Sequence, residues 1–369
     1  MTNIFSNILP LIIAIIVFSI LVLVHEFGHY IVAKKSGIFV EEFAIGMGPV
    51  LVSKQFGETL YSIRAFPLGG FCRMMGEDED LKDERAFNSK SVFKRIAVVA
   101  AGPIMNFILA FIICTGLVGT SGFAQPIVAG LEAGGNAAEA GLMIGDKITK
   151  INNTHIFVYE DLSLFMAQNQ GETVELQVKR NGEKVNITVE PYKTEDGRWI
   201  IGFNPAVKTG IFDKDYDGFD KATIGETIVT GFNTMFFYIR STVEGFIRLF
   251  TFNVSMDEVA GPIGIIEVVG ESYEQGIKYS IGAAIANISY IAALLSANLG
   301  ALNLFPIPAM DGGRLVFLII EAFRGKPIDP EKEGMVHFIG FAFLMAFMVF
   351  IAYNDIARIF LGWNQLYWR

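Results

Sequence analysis

Long apolar runs alternate with one stretch of mixed polarity along the 369 residues of the chain. A membrane-spanning helix needs roughly 20 mostly apolar residues. Four runs reach that length: residues 8–33, 92–118, 281–304 and 335–360. The first is too long for a signal peptide and lacks a basic start and a small-residue cleavage site. The pattern therefore predicts four transmembrane helices.

A fifth apolar run, residues 224–252, carries three charged residues four positions apart. Arg240, Glu244 and Arg248 therefore share one face of a helix. Because charges inside a bilayer are costly, this run is predicted to be an amphipathic helix that lies in the membrane interface.

The stretch of mixed polarity, residues 125–220, has short alternating segments separated by turn residues. Asn181-Gly182 stands between the alternating runs 173–180 and 183–190, which is the strongest short-range signal for a β-hairpin. Residues 159–168 read as a short helix. This insert is predicted to be a small α+β domain.

Composition agrees with a membrane protein. Hydrophobic residues make up 52% of the chain and charged residues 18%, against about 25% charged in typical soluble proteins. The net charge of −9 leaves no basic footprint for a nucleic-acid backbone. The only two cysteines, Cys72 and Cys114, exclude a disulfide framework and a four-cysteine zinc site.

Lysine and arginine concentrate between the first and second predicted spans and between the third and fourth. By the positive-inside rule, both of these loops are cytoplasmic. The sequence thus predicts a multi-pass membrane protein, with both termini and the insert outside the cytoplasm.

The motif His25-Glu26-Phe27-Gly28-His29 ends the first apolar run. Histidines at i and i+4 lie on one helix face and can reach one metal ion, and the adjacent glutamate can take a proton from metal-bound water. Ionisable residues within a membrane helix are costly and mark candidate functional sites. The alternative is a set of solvated charges at a helix end.

A second motif runs from Asn303 to Gly313 and interrupts the third apolar run with two prolines and two glycines. A broken helix at membrane depth is tolerated only where it is buried in protein or lines a wet cavity. Asp311 is then a candidate third zinc ligand, which would leave the fourth position open, as in catalytic zinc sites. Alone, Asp311 would more readily be interpreted as a helix N-cap.

Together the two motifs resemble the site-2 protease family of intramembrane zinc metalloproteases. His25-Glu-x-x-His29 is similar to its HExxH motif, and residues 303–312 to its NxxPxPxxDG motif. The resemblance is nearest to the bacterial branch named for regulating sigma-E. Residues 43–49 and 66–77 look like that branch's membrane-associated β-hairpin region. Residues 102–106 are similar to its Gly-x-x-x-Asn motif, and residues 261–264 to its Gly-Pro-Ile-Gly run.

This resemblance implies roles for the matched residues. His25, His29 and Asp311 would bind one catalytic zinc ion, Glu26 would be the general base, and Asn303 would hold the substrate backbone or the developing oxyanion. Substrates would be single-span proteins already trimmed by another protease, such as anti-sigma factors or remnant signal peptides. Residues 59–74 alternate enough to form a hairpin, whose exposed edge could pair with an unwound substrate.

Residues 138–153 resemble a PDZ domain, a fold that takes an extended peptide as an added strand. The alternative for this insert is a β-rich spacer without a ligand. The domains are expected at 1–124 and 276–369 for the two membrane halves, 125–205 for the PDZ-like domain, and 206–275 for a linker with the interfacial helix.

Two other functions compete with the protease. One is a catalytically inactive membrane receptor or chaperone-like peptide binder with a structural zinc, although such a zinc needs no base like Glu26. The other is a zinc transporter, which would need more polar residues along the four spans than the sequence offers.

Overall fold

The computed structural model describes residues 4–77, 79, 81–132, 134–213, 218–251 and 261–360. The described helices are α1 (Ile4–Lys35), α2 (Val92–Ser121), α3 (Asn136–Glu139), α4 (Tyr159–Gln168), α5 (Ile224–Phe250), α6 (Pro262–Ile277), α7 (Ile281–Leu304), α8 (Asp311–Arg324) and α9 (Pro330–Phe360). The described strands are β1 (Val40–Phe56), β2 (Thr59–Met74), β3 (Phe123–Leu131), β4 (Lys147–Ile151), β5 (Thr154–His155), β6 (Val174–Arg180), β7 (Glu183–Val189), β8 (Tyr192–Lys193), β9 (Trp199–Ile200), β10 (Phe203–Thr209) and β11 (Asp220–Lys221).

Four described helices are long and apolar enough to cross a membrane. They are Ile8–Lys35, Val92–Ser121, Ile281–Leu304 and Glu331–Ala357, which confirms the four predicted spans. Helix α5 is not among them. The chain is therefore a multi-pass membrane protein.

The residues divide into two compact units, Met1–Ala110 with Ile239–Leu366, and Phe111–Tyr238. In the first unit, α6 packs on α1 and α7, and β1 and β2 pack on α1. Its buried cluster joins the end of α1, the sheet and α2, with members such as Ala33, Val40, Phe43, Val98 and Val99.

The β1–β2 sheet is more elaborate than the single hairpin predicted over residues 59–74. Residues 42–45 have two sets of partners, 70–73 on one side and 60–63 on the other, and residues 50–56 pair with 59–64. Both long strands therefore fold back on themselves. The rows follow the order 50–56, 59–64, 40–45, 70–74, so residues 70–74 form one edge.

In the second unit, a sheet in the order β11-β10-β3-β4-β6-β7 packs around an apolar core. The predicted hairpin is confirmed as β6 and β7. Asn181 and Gly182 both adopt positive φ, 49° and 93°, as a two-residue type I′ turn requires. The predicted short helix is α4, residues Tyr159–Gln168.

Two helix starts follow from capping residues. At α5, the Thr223 hydroxyl accepts from the Glu226 amide while the Glu226 carboxylate accepts from the Thr223 amide, which is a capping box. At α7, the Ser280 hydroxyl accepts from the Ala283 amide. Each cap satisfies amides that a helix start leaves without a partner.

Candidate metal centre

Helix α1 carries the first motif within its candidate span, and the motif's last residue, His29, lies between one and two turns before the helix ends at Lys35. His25 and His29 are four residues apart and both are buried. Their Nε2 atoms lie 3.2 Å from each other. The apolar run therefore continues as a helix through the motif and presents both imidazoles on one face.

Asp311 comes from the other end of the chain and meets these two histidines. It is the first residue of α8, while Met310 occupies the N-cap position. The N-cap interpretation of Asp311 is thus wrong by one residue. Its Oδ2 atom lies 3.0 Å from His25 Nε2 and 3.4 Å from His29 Nε2.

The spacing of these three donor atoms fits zinc. Ligand atoms at zinc–nitrogen and zinc–oxygen distances in a tetrahedral site lie about 3.3 Å apart, and the observed separations are 3.0, 3.2 and 3.4 Å. The donor set of two imidazoles and one carboxylate is also typical of catalytic zinc, because it leaves a fourth position for water or substrate. Among the described residues, this is the one group that could hold a metal ion.

Three contacts hold α8, and with it Asp311, in place. Arg314 of α8 forms an ion pair with Glu77. Glu321 of α8 forms a bidentate ion pair with Arg95 of α2. The loop before α8 is held by His337 of α9, whose Nδ1 accepts from the Ala309 amide at 2.8 Å. The sequence pattern did not predict these three contacts, because the partners lie far apart along the chain.

A cavity of about 400 Å³ opens at the metal centre. Its lining includes His25, Glu26, His29, Asn303 and Asp311, so every residue predicted for catalysis or metal binding faces one space. One amide hydrogen of Asn303 is donated to the Leu299 carbonyl within α7, at 2.9 Å. The amide oxygen and the second amide hydrogen of Asn303 are not engaged in that bond.

The edge row of the β1–β2 sheet lies beside the same cavity. Residues 71–74 contribute to its lining, and the Cys72 backbone amide faces the Glu26 carboxylate. On the side away from β1, no strand pairs with residues 70–74 in the described part of the chain. Burial, followed by the charges of Glu26 and Glu77, raises the pKa of the Cys72 thiol above its usual range. Cys72 is not part of the donor group formed by His25, His29 and Asp311.

The outer nitrogen of each histidine ring also has a partner. His29 Nδ1 lies 2.8 Å from the Val98 carbonyl oxygen, and His25 Nδ1 lies 3.1 Å from the Asn106 side-chain amide. Both partners are on α2. Such contacts orient metal-binding histidines, and the only sequence signal for them was the Gly-x-x-x-Asn spacing of residues 102–106.

A glutamate that shares a cavity with an open zinc-type donor set is the arrangement of a hydrolase, because a structural zinc site is closed and needs no base. With two of the three donors, His25 and His29, inside a candidate span, the class is that of the membrane zinc metalloproteases. The model of Peptidase family M50 matches residues 13–347. The chain belongs to this family.

Named relatives agree. A protein of Clostridium acetobutylicum, assigned to the zinc metalloproteases by name only, is 39% identical over 348 residues, covering 94% of this chain and 97% of that one. Zinc metalloprotease RasP of Bacillus licheniformis and Regulator of sigma-W protease RasP of Bacillus subtilis are each 33% identical over 435 residues. Each alignment covers 94% of this chain and 98% of the relative. The expected class of enzyme and its zinc cofactor are thereby confirmed.

Proposed function

We propose that the protein is an intramembrane endopeptidase that cleaves single-span membrane proteins after another protease has trimmed them. Anti-sigma factors and remnant signal peptides are the proposed substrates. The observation that carries this proposal is the position of His25, Glu26 and His29 within the candidate span Ile8–Lys35, where Asp311 meets both histidines. A relative bearing the name of a sigma-W regulator supports a substrate of this kind.

In this proposal, His25, His29 and Asp311 hold one zinc ion. When bound, zinc supplies Lewis-acid activation of water and of the scissile carbonyl. The Glu26 carboxylate takes the proton from the attacking water and returns it to the leaving amine. Asn303 donates its second amide hydrogen to the substrate carbonyl as negative charge develops there.

A substrate helix hides its scissile carbonyl in i→i−4 hydrogen bonds, so it must unwind before hydrolysis. The edge row, residues 70–74, offers a place for the unwound segment, because a free strand edge binds an extended peptide through main-chain hydrogen bonds. Its nearness to Glu26 supports this pairing. Prolines introduced along this row would remove edge donors, and unchanged cleavage with zinc still bound would contradict the pairing.

We also propose that the second unit contains a PDZ-like domain that acts as an extracytoplasmic filter against untrimmed substrates. The outer edge of β10 supports this, because within the described residues β11 pairs there only with Lys208 and Thr209. Tyr159, the first residue of α4, lies against Phe203 at the start of β10, so one end of this edge meets a helix, and a strand edge beside a helix is what a peptide groove needs. Because β3 begins at Phe123 and β11 ends at Lys221, we extend the proposed domain from 125–205 to 123–221.

The first and last proposed domains, 1–124 and 276–369, are the two membrane halves. The proposed topology keeps both termini and the PDZ-like domain outside and the basic loops inside, which turns the metal centre toward the cytoplasm. Helix α5 is proposed to lie in the interface ahead of α6. Membrane lipids and trimmed single-span proteins are then the natural partners.

The decisive experiment compares wild type with Glu26→Gln in detergent, using a tagged single-span substrate with a short outer tail, and measures zinc content in parallel. We expect Glu26→Gln to retain zinc and to cleave about 10²–10⁴-fold more slowly. Glu331→Gln, which removes a carboxylate outside the cavity lining, is the matched control. Zinc bound by the wild type without cleavage of any trimmed substrate would favour the peptide binder instead.

A further inference from the structure

Helix α2 comes very close to the candidate metal centre at Gly102. A methyl group added at this position would lie 2.3 Å from His29 Nε2 and 2.7 Å from His25 Nε2. On the partner helix, a methyl group at Gly28 would lie 2.3 Å from the Ala101 carbonyl oxygen. Only glycine therefore allows α1 and α2 to approach closely enough to place both imidazoles against α2.

Asn106 follows Gly102 by four residues and so lies on the same face of α2. It is fully buried, with an exposed fraction of 0%. Its backbone carbonyl accepts from the Ser296 hydroxyl of α7 at 2.8 Å, which fixes the residue between two helices. In the structure, its side-chain nitrogen lies next to His25 Nδ1, whereas its side-chain oxygen has no hydrogen-bond partner.

The chemistry of the site requires the opposite orientation of this amide, with the oxygen rather than the nitrogen facing His25. A neutral imidazole that offers Nε2 to a metal carries its proton on Nδ1, so His25 Nδ1 is a donor. Its partner must then be an acceptor, which is the amide oxygen of Asn106. The two ends of an amide are distinguished only by their hydrogen bonds, and turning this one also gives the buried oxygen a partner.

The second histidine follows the same rule with a different acceptor. His29 Nδ1 donates to the Val98 carbonyl oxygen at 2.8 Å. Val98, Gly102 and Asn106 are spaced four residues apart and therefore share one face of α2. That face supplies the hydrogen-bond acceptors for both histidines, and Gly102 leaves space for the rings between them.

We propose that Asn106 is a positioning residue for the zinc site. Its amide oxygen accepts the Nδ1 proton of His25 and directs Nε2 of that ring toward the metal, while Gly102 leaves room for the ring. This role explains the Gly-x-x-x-Asn spacing, and it rests on the proposed ligand set of His25, His29 and Asp311.

The test measures zinc affinity of the full-length protein in detergent by competition with a chelator. We expect Asn106→Leu to bind zinc about 10–100-fold more weakly, as when such orienting partners are removed elsewhere. Asn106→Asp keeps an acceptor at the same place and is expected to stay within about threefold of wild type. Asn287→Leu is the matched control, because Asn287 is bonded to the Ser272 carbonyl and does not line the cavity.

If Asn106→Leu is not obtained in a folded form, Asn106→Ala replaces it, because its smaller side chain fits where the amide was and, like Asn106→Leu, it keeps the backbone carbonyl that Ser296 contacts. The visible spectrum of the cobalt-loaded protein gives a second readout, which should change in Asn106→Ala and remain unchanged in Asn287→Leu. Wild-type affinity in Asn106→Leu or Asn106→Ala, or equal weakening in Asn106→Asp and Asn106→Leu, would overturn the proposal.

His25→Ala separates the two levels of inference. If His25→Ala binds zinc as tightly as wild type, the ligand set itself is wrong. If His25→Ala loses zinc and Asn106→Leu does not, the ligand set stands and the role of Asn106 is refuted.

Discussion

Both units have an apolar core, but the first also buries a cluster of candidate metal ligands and their partners. In the first unit, His25, His29 and Asn106 are buried among apolar helices. In the second, the buried residues are Ile148, Leu176 and similar aliphatic side chains. A buried polar group costs free energy unless it is bonded, so the first unit carries an arrangement that stability alone does not require.

This difference indicates which substitutions each unit can tolerate. The second unit is stabilised by non-directional burial of apolar surface, which tolerates exchange among residues of similar size. The first unit depends on a network of donors and acceptors, in which losing one partner leaves another buried group unsatisfied. We therefore expect substitutions at the two centres to affect different observables.

The largest effect is expected from Asp311→Ala. Removing one of three candidate zinc ligands should abolish both stoichiometric zinc binding and cleavage, whereas unfolding of the second unit should be unchanged. Trp199 packs against the core of the second unit, so its fluorescence in a background lacking Trp363 and Trp368 reports on that unit. Zinc content is measured on the same samples.

Asp329→Ala serves as the control for Asp311→Ala. Asp329 precedes α9 and does not line the cavity, so zinc content and cleavage should remain at wild-type values. Full zinc occupancy in Asp311→Ala would remove this residue from the ligand set.

Asn303→Ala should have the next largest effect. Loss of one oxyanion donor lowers kcat about 10²–10³-fold, and zinc content should be unchanged because Asn303 is not in the donor group. Single-turnover cleavage of the trimmed substrate measures the change. An effect confined to KM would instead assign Asn303 to ground-state binding of the substrate backbone.

Much of this architecture follows from local sequence. The four spans give a strong sequence signal, because each apolar run is long and nearly free of charges. The β6–β7 hairpin follows from Asn181-Gly182, whose positive φ values suit no other common turn. The pairing of His25 with His29 is likewise local, since residues four apart on a helix must share a face.

Non-local contacts were harder to predict. The four-row arrangement of β1 and β2 depends on register shifts within long strands, which alternation of residues does not encode. The separate helix α8 follows a loop in which Ala309 takes a positive φ of 73°, stabilised by His337 from the next helix. Asn106 could be connected with His25 only once α1 and α2 were packed together.

In the second unit, Ile148→Val tests the other half of the comparison. Ile148 has an exposed fraction of 0%, and removing one buried methylene group typically costs about 0.5–1.5 kcal/mol. The Trp199 unfolding midpoint should fall, while zinc content and the cleavage rate below the transition stay constant. The exposed Ile144→Val is the control, and a loss of zinc in Ile148→Val would show that the two centres are coupled.

The smallest effect concerns an ion pair beside the core of the second unit. Arg180 donates to Asp146 at 2.7 Å, and this contact, together with the Met143 amide, keeps the pKa of Asp146 below its usual range. Asp146 therefore binds fewer protons when folded, so its contribution is present above about pH 4 and is lost as the pH falls through its folded pKa. The Trp199 midpoint of wild type should exceed that of Asp146→Asn at pH 6, and the gap should narrow toward pH 2. Glu175→Gln, at the end of the same hairpin away from the turn, should show no such narrowing. A constant gap between wild type and Asp146→Asn over this range would mean that packing of the side chain, rather than its charge, stabilises the unit.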